Sequence, residues 1–290
     1  MAIPLSCKCI EEQKKSGLVR FIRYPGSKRR MLDFLGRHLP GPDSIQGRYA
    51  EPFVGSGAVF LFMLPSQALL SDLNPDLIDL YRGVRYSPQA VWDRYCAFGK
   101  NKTAYLKVRD AGPSGLLVDR AARVLFLNRT CFKGMWRHNR DGHFTVGYGG
   151  QARRWVINLE MLSEVGRALR KATLQCSDFE DVVDSCERGD FLFLDPPYRP
   201  GEKEQINDHY VGQRFSYQDH LRLSAALRRA KKRGVQWALT TSAHPDIVKL
   251  FRGNEQTAMP RGTGRSPGVL ATNSGELLIT SYKVERKDQL

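Results

Sequence analysis

The stretch Phe191-Leu192-Phe193-Leu194-Asp195-Pro196-Pro197-Tyr198 decides how this chain is read. Four consecutive large apolar residues suit a strand buried on both faces, as in parallel sheets covered by helices. An acid, two prolines and an aromatic follow at its end. Two prolines remove two backbone donors and stiffen the turn, leaving carbonyls and one carboxylate as acceptors at the sheet's carboxyl edge. Such a set can hold an exocyclic amine and direct its lone pair. The Tyr198 ring offers a face on which a flat ring can stack. Asp-Pro-Pro-Tyr alone could end any strand, so its weight comes from what lies upstream.

Upstream, residues 48–54 read as a short strand and 58–63 as the start of a helix. Residues 68–72 form a second strand and 75–85 a second helix, with Pro75 suited to a first helical turn. This βαβα pattern predicts parallel strands with helices on the faces. Glu51-Pro52-Phe53-Val54-Gly55-Ser56-Gly57 joins the first strand to its helix, and its glycines let the backbone turn sharply close to a ligand. No Gly-Lys-Ser/Thr follows, which excludes a Walker loop. Phe60 holds the place of the third glycine in a dinucleotide fingerprint. Asp72 ends the second strand. By itself it could cap the next helix, but beside the glycine loop it suits the ribose of a nucleoside.

Downstream, residues 173–177 and 190–195 read as buried strands, 217–233 as an amphipathic helix ending at Gly234, 235–241 as a strand and 276–282 as a last strand. The middle of the chain, 100–171, reads as a mainly helical insert with an apolar helix over 120–128. After it, Asp141-Gly142 between Met135-Trp136-Arg137 and Phe144-Thr145-Val146 predicts a β-hairpin, aromatic and basic in composition.

Composition sets the class. With 290 residues, 41% hydrophobic and 26% charged, the chain is globular and long enough to bury a full core. Lys and Arg total 45 against 30 Asp and Glu, a formal net charge of +15 that favours a polyanionic partner, nucleic acid first. No apolar run reaches the roughly 18 residues of a membrane span, and no signal peptide is expected at the N-terminus. Six scattered cysteines (Cys7, Cys9, Cys96, Cys131, Cys176, Cys186) contain no Cys-x-x-Cys pair, so neither a metal site nor a disulfide framework is predicted, and a cytoplasmic setting fits. No heptad repeat or unusual apolar stripe is present, so a monomer is expected.

The ordered set of motifs resembles the Dam-like, D12 class of adenine-specific DNA N6-methyltransferases. The resemblance runs over Phe21-Ile22-Arg23-Tyr24-Pro25-Gly26-Ser27-Lys28, EPFVGSGAVF, SDLNPDLIDLY, Asn128-Arg129-Thr130-Cys131-Phe132-Lys133-Gly134 with its hairpin, SDFE, DPPY, and Gly275-Glu276-Leu277-Leu278-Ile279-Thr280-Ser281-Tyr282. It implies a Rossmann-like α/β methyltransferase sheet over 18–99 and 172–290, interrupted by a target-recognition domain over 100–171. It also implies S-adenosylmethionine as methyl donor and double-stranded DNA as partner. A cognate restriction endonuclease would be a functional companion rather than a stable complex, in a bacterial or phage-infected cell.

Residue by residue, the resemblance places Tyr24 and Lys28 at the donor's methionine end, with Tyr24 where the family often has Trp. Glu51, Phe53, Gly55 and Gly57 would lie under the donor, Asp72 on its ribose, and Asp178 and Phe179 at its adenine. Asp195, Pro196, Pro197 and Tyr198 would form the catalytic motif, with Asp195 also at the cofactor. Arg129 would touch phosphate, Phe132 would wedge into the base stack, Arg137 would read guanine, and Arg23 and Lys133 would also face DNA. A core aromatic would explain Phe132 as simply, and a solvated surface the arginines. Two departures bear on a GATC-like target: Phe144-Thr145-Val146-Gly147 where the family has Phe-Asn-Val-Pro, and Lys133 in place of Asn before Gly134. Cytosine-N4 methylation, whose motif more often begins with Ser, fits Asp195 less well. RNA methylation and a catalytically silent DNA-binding protein compete with the main reading as well. The 228–233 run of cations reads as a solvated helix end, and 261–273 as a loop over DNA or a linker.

Overall fold

A computed structural model describes residues 4–5, 10–11, 17–139, 141–198, 215–260 and 275–284. The pair Cys7 and Cys9, residue 140 and the 261–273 segment lie outside the described residues. Seven strands form one sheet: β1 (Tyr49–Glu51), β2 (Ala68–Ser71), β3 (Ala172–Gln175), β4 (Phe191–Leu194), β5 (Gln236–Ser242), β6 (Glu255–Ala258) and β7 (Glu276–Thr280). Their order is β3-β2-β1-β4-β5-β7-β6. The first five are parallel, and β7 runs antiparallel between β5 and β6. The strand–helix alternation predicted these parallel strands, and the resemblance the Rossmann-like α/β sheet they form.

The reason for two covered faces is legible strand by strand. Phe191 and Phe193 of β4 enter one core while Leu192 and Leu194 enter the other. Tyr49 and Ala50 divide the same way on β1, as do Ala238 and its neighbours Trp237 and Leu239 on β5. Side chains alternate across a strand, so an uninterrupted apolar run demands helices on both sides. One face is covered by α8 (Phe179–Asp184), α9 (Tyr217–Lys232) and α10 (Pro245–Leu250), numbered in chain order with those below.

The other face carries α1 (Leu32–Gly36), α2 (Ala58–Met63), α3 (Pro75–Tyr86), α4 (Pro88–Ala97), α5 (Lys102–Asp110), α6 (Leu117–Thr130) and α7 (Leu159–Leu169). Tyr105, Phe126, Trp136, Phe144 and Leu162, all from 100–171, share its core with Tyr49 and Phe193. The insert thus continues the core of the sheet. The expected hairpin is present: Asn139 N donates to His143 O (2.9 Å) and Thr145 N to Arg137 O (3.0 Å). Gly142 takes a left-handed φ of +79°, and the Trp136 and Phe144 rings lie 4.6 Å apart behind it.

Elements the pattern did not show are α1, α4, α5, α7, α8, α10 and β6. The last, Glu255-Gln256-Thr257-Ala258, is polar and exposed at the sheet's edge, so it lacks an apolar signature. Among the described residues, no helix is long and apolar enough to cross a membrane.

Leu192→Ala should be costly, because the side chain is fully buried at the centre of the sheet. A loss of about 2–5 kcal/mol is expected in urea unfolding. A loss well below that range would mean this face is not packed as described.

Candidate active site

In a doubly wound sheet ligands sit beyond the carboxyl ends of the strands, where neighbouring connections diverge. Here β1 lies between β2 and β4, so the segments after β1, β2, β3 and β4 share one edge. They carry 51–57, Asp72, Asp178 and 195–198.

The loop after β1 needs its glycines. Gly55 and Gly57 have φ of +44° and +61°, a region costly for other residues. A Cβ on Gly55 would meet the Tyr24 ring at 3.2 Å, so that ring lies directly against the loop. Tyr81 Oη donates to Gly55 O (2.6 Å), and Ser27 and Ser56 hydroxyls meet at 2.8 Å, tying the near-N-terminal segment to the loop. Asp72 accepts from Gly55 N (3.0 Å) and Asn74 N (2.9 Å). It is Asn74, accepting from Asp76 N, that caps α3, so Asp72 does not serve as the cap. Burial raises the Asp72 carboxyl from 3.8 to about 6. Burial also pushes Glu51 well above its ordinary range, although Tyr49 Oη donates to it at 2.8 Å.

Asp195 sits between two partners. Lys28 Nζ lies 2.8 Å from Oδ1, and Thr240 Oγ1 donates to the same oxygen at 2.6 Å. Lys28 is almost fully buried, donates to Gly26 O (3.1 Å), and lies 4.8 Å from the centre of the Tyr198 ring. The Tyr198 hydroxyl donates to Glu276 Oε2 (3.3 Å), and burial holds the phenol well above its usual value, so it stays protonated. The structure thus joins Lys28 to the catalytic motif, whereas the resemblance placed it only by the donor's methionine end. Asp195 and Asp72 raise Glu51 further through space, and Lys28 pairs with Asp195.

Farther along the edge, Phe53 stacks on Phe179 (5.4 Å, 27°), and Phe215 meets Phe53 edge-on at 5.7 Å. Asp178 caps α8 by accepting from Glu180 N (2.9 Å) and pairs with Arg222 at 2.7 Å. Tyr24, Phe53, Gly55, Gly57, Asp72, Asp178 and Asp195 therefore gather at one edge, whereas Glu51 and Phe179 are buried behind it, Phe179 against the Phe53 ring and the Arg222 guanidinium. Thr240, Tyr81, Phe215 and Arg222 join them without any signal in the sequence, each looking like an ordinary strand, helix or loop residue.

The expected DNA-facing residues divide. Phe132 is 46% exposed, so it is not a core aromatic. Lys133 takes a left-handed φ of +52° with its ammonium 5.2 Å from the Phe132 ring. That conformation suits Asn better than Lys. Arg137 Nε reaches Thr145 Oγ1 (3.3 Å) across the hairpin. Arg23 is held by the Asn128 amide, which accepts from Arg23 N (2.8 Å) and donates to Arg23 O (2.5 Å).

Arg129 corrects an expectation. It is 2% exposed and donates to the carbonyls of Arg153 (3.0 Å) and Arg20 (3.3 Å), so it supports the backbone instead of offering itself to phosphate. Desolvation lowers its pKa to about 10. The cations of the 228–233 run stand exposed at the helix end as expected, with Arg229 paired to Glu180 and Asp184 and the half-buried Arg233 donating to Val183 O and Cys186 O.

The model of the D12 class N6 adenine-specific DNA methyltransferase family matches residues 24–263. A Type II methyltransferase of Methanocaldococcus jannaschii is 31% identical over 290 residues, covering 90% of this chain and 98% of that one. A Type II methyltransferase of Lactococcus lactis subsp. cremoris is 27% identical over 283 residues, with 93% and 98% covered. The DNA N-6-adenine-methyltransferase of Escherichia phage P1 is 34% identical over 249 residues, which is 84% of this chain and 32% of that longer protein.

Arg129→Ala strands two carbonyls that now accept hydrogen bonds. It should lower stability by about 1–3 kcal/mol in thermal or urea unfolding, whereas Phe132→Ala should change it by less than about 0.5 kcal/mol. Equal effects would mean that Arg129 is not the backbone support its burial indicates.

Proposed function

The chain belongs to the D12 class N6 adenine-specific DNA methyltransferase family, and on that premise we propose that it passes the methyl group of S-adenosylmethionine to N6 of an adenine flipped out of double-stranded DNA. The observation that carries the reading is Asp195, held by Lys28 and Thr240 at the carboxyl edge, beside the glycine loop and Asp72.

The residues present fit the donor. The left-handed turn at Gly55 lies under the Tyr24 ring, and the carboxyl groups of Asp72 and Asp195 suit a ligand bearing sulfonium and ammonium charges. In this reading Asp72 accepts from the ribose hydroxyls, and Asp178 and Phe53 meet the adenine, with buried Phe179 packed behind Phe53. Bound S-adenosylmethionine supplies a sulfonium methyl already activated for direct transfer, its sulfur leaving with the electron pair of the broken bond. The protein's task is alignment and electrostatics.

Adenine N6 is a weak nucleophile because its lone pair is shared with the ring. The Asp195 carboxylate and the Pro196 carbonyl accept the two N6 hydrogens, localise that pair and stabilise positive charge as it develops. Pro197 stiffens the turn, and the Tyr198 ring stacks on the base. The released N6 proton passes from the Asp195 side to solvent. Flipping the base costs a few kcal/mol. Residues 100–171 act as the recognition segment, with Phe132 filling the gap in the stack and Arg137 reading guanine, worth roughly 1–3 kcal/mol. Arg23 and Lys133 face the duplex beside them, on a GATC-like target. The setting is the cytoplasm of a bacterial or phage-infected cell, and the +15 charge supports binding to nucleic acid.

Expression in a methylation-free host, with N6-methyladenine read by long-read sequencing of the plasmid, tests this directly. Wild type should mark one short motif, and Asp195→Ala should leave no mark while staying folded. A variant as active as wild type refutes the assignment.

Asp72 gives a pH signature. Its carboxyl titrates at about 6, so S-adenosylmethionine affinity should fall as the pH drops through about 6, and Asp72→Asn should flatten that profile. The sign for stability is opposite. A carboxyl raised in the folded state contributes its full stability below its unfolded value and loses it as the pH rises through about 6. Weaker binding in acid through Asp72 is therefore not unfolding. Calorimetric titrations between pH 5 and 8 would decide, and a flat wild-type profile would contradict the role of Asp72.

A further inference from the structure

Arg222 lies on α9, outside every motif that marks the site, yet its guanidinium is committed to the carboxyl edge. Its Nη2 donates to Asp178 Oδ1 at 2.7 Å, its Nε to Glu180 Oε2 at 3.0 Å and its Nη1 to Asp219 Oδ1 at 3.1 Å. Its charge centre also lies 4.9 Å from the centre of the Phe179 ring. One planar group therefore fixes the carboxylate, the helix start and the aromatic face that follow β3. A planar fork can do this because its donors keep a fixed geometry.

The state of Asp178 gives that arrangement a consequence. Both bonds it accepts, from Glu180 N and from Arg222, fall on Oδ1. Among the described residues, no hydrogen bond falls on Oδ2, and the side chain is about one-third exposed. Ser71 Oγ meets Ser177 Oγ at 3.0 Å, so the ends of β2 and β3, which carry Asp72 and Asp178, are tied side by side. A nucleoside whose ribose lies on Asp72 extends its base toward β3, beside the half-buried Phe53 that packs on buried Phe179. There it meets an oxygen that can only accept.

We infer that Arg222 is the positioning residue that holds Asp178 with Oδ2 turned to the base, making the site select a 6-amino purine over a 6-oxo purine in the methyl donor. A 6-amino group donates to that oxygen. A 6-oxo group presents a second acceptor to it and leaves both unpaired, a mismatch that polar sites reject strongly. The inference rests on the proposed use of S-adenosylmethionine at this edge.

The test is calorimetric binding of S-adenosylhomocysteine and its 6-oxo analogue, S-inosylhomocysteine, to wild type, Arg222→Met and Arg222→Lys. Wild type should prefer the 6-amino ligand by about tenfold or more. Arg222→Met should bind that ligand about tenfold more weakly, bind the 6-oxo ligand nearly unchanged, and so lose most of the discrimination. Arg222→Lys keeps the charge but cannot hold three carboxylates in one plane, so it should fall between. The KM for S-adenosylmethionine should rise while kcat at saturation holds.

Equal losses for both ligands in folded variants would reduce Arg222 to a structural brace and overturn the inference. Unchanged binding, or a wild type that does not discriminate, would overturn it as well. A wild type that binds neither ligand would instead bring down the cofactor reading on which it rests.

Discussion

The architecture depends on one constraint: β1, β4 and β5 are apolar on both faces and must be covered on both. Phe193 and Leu194, adjacent in sequence, enter opposite cores, and no arrangement open to water on one side could bury both. Helices therefore occupy the two faces, and polar segments are left to the strand ends and to the β6 edge. The site forms where four such ends come together. Its carboxyls stand at an edge because the faces have no room for them.

Gathering acids at one edge has an electrostatic cost that the protein meets unevenly. Asp195 is given a buried ammonium and a hydroxyl, Lys28 and Thr240. Asp72 receives two backbone N–H groups, which do not cancel its desolvation, and its carboxyl remains raised to about 6. Glu51, with the Tyr49 phenol as its side-chain donor, stays well above its ordinary range. Burial thus biases Glu51 toward its protonated form and leaves Asp72 charged above about pH 6. Function and local destabilisation share a cause here, as is common at sites with shifted pKa values.

The middle segment is joined to this edge by backbone contacts. Asn128 clamps both the N–H and the carbonyl of Arg23, and a Cβ on Gly134 would run into the Arg23 side chain at 2.6 Å. The segment that bears Phe132 and Lys133 is therefore packed against the strip that carries Tyr24 and Lys28. Buried Arg129 adds carbonyl contacts from the same helix. A coupling between the two regions has a physical path through these contacts, with Lys133 in a left-handed turn at its outer end.

The strand–helix alternation, the two-faced strands, the glycine loop, Asp72 and the Asp-Pro-Pro-Tyr turn are all legible in the residues alone. Apolar periodicity, positive φ and missing backbone donors are local properties of the chain, and a linear reading captures them. The hairpin belongs with them, through Asp141-Gly142. Folding in three dimensions was needed to pair Lys28 with Asp195, to bring Thr240 beneath it, to set Arg222 on Asp178 and to turn Arg129 inward. Lysine, threonine and arginine have no periodic signature for such roles. Their partners stand dozens to more than a hundred positions away, and burial that turns an arginine from a DNA contact into a brace is set by packing between elements.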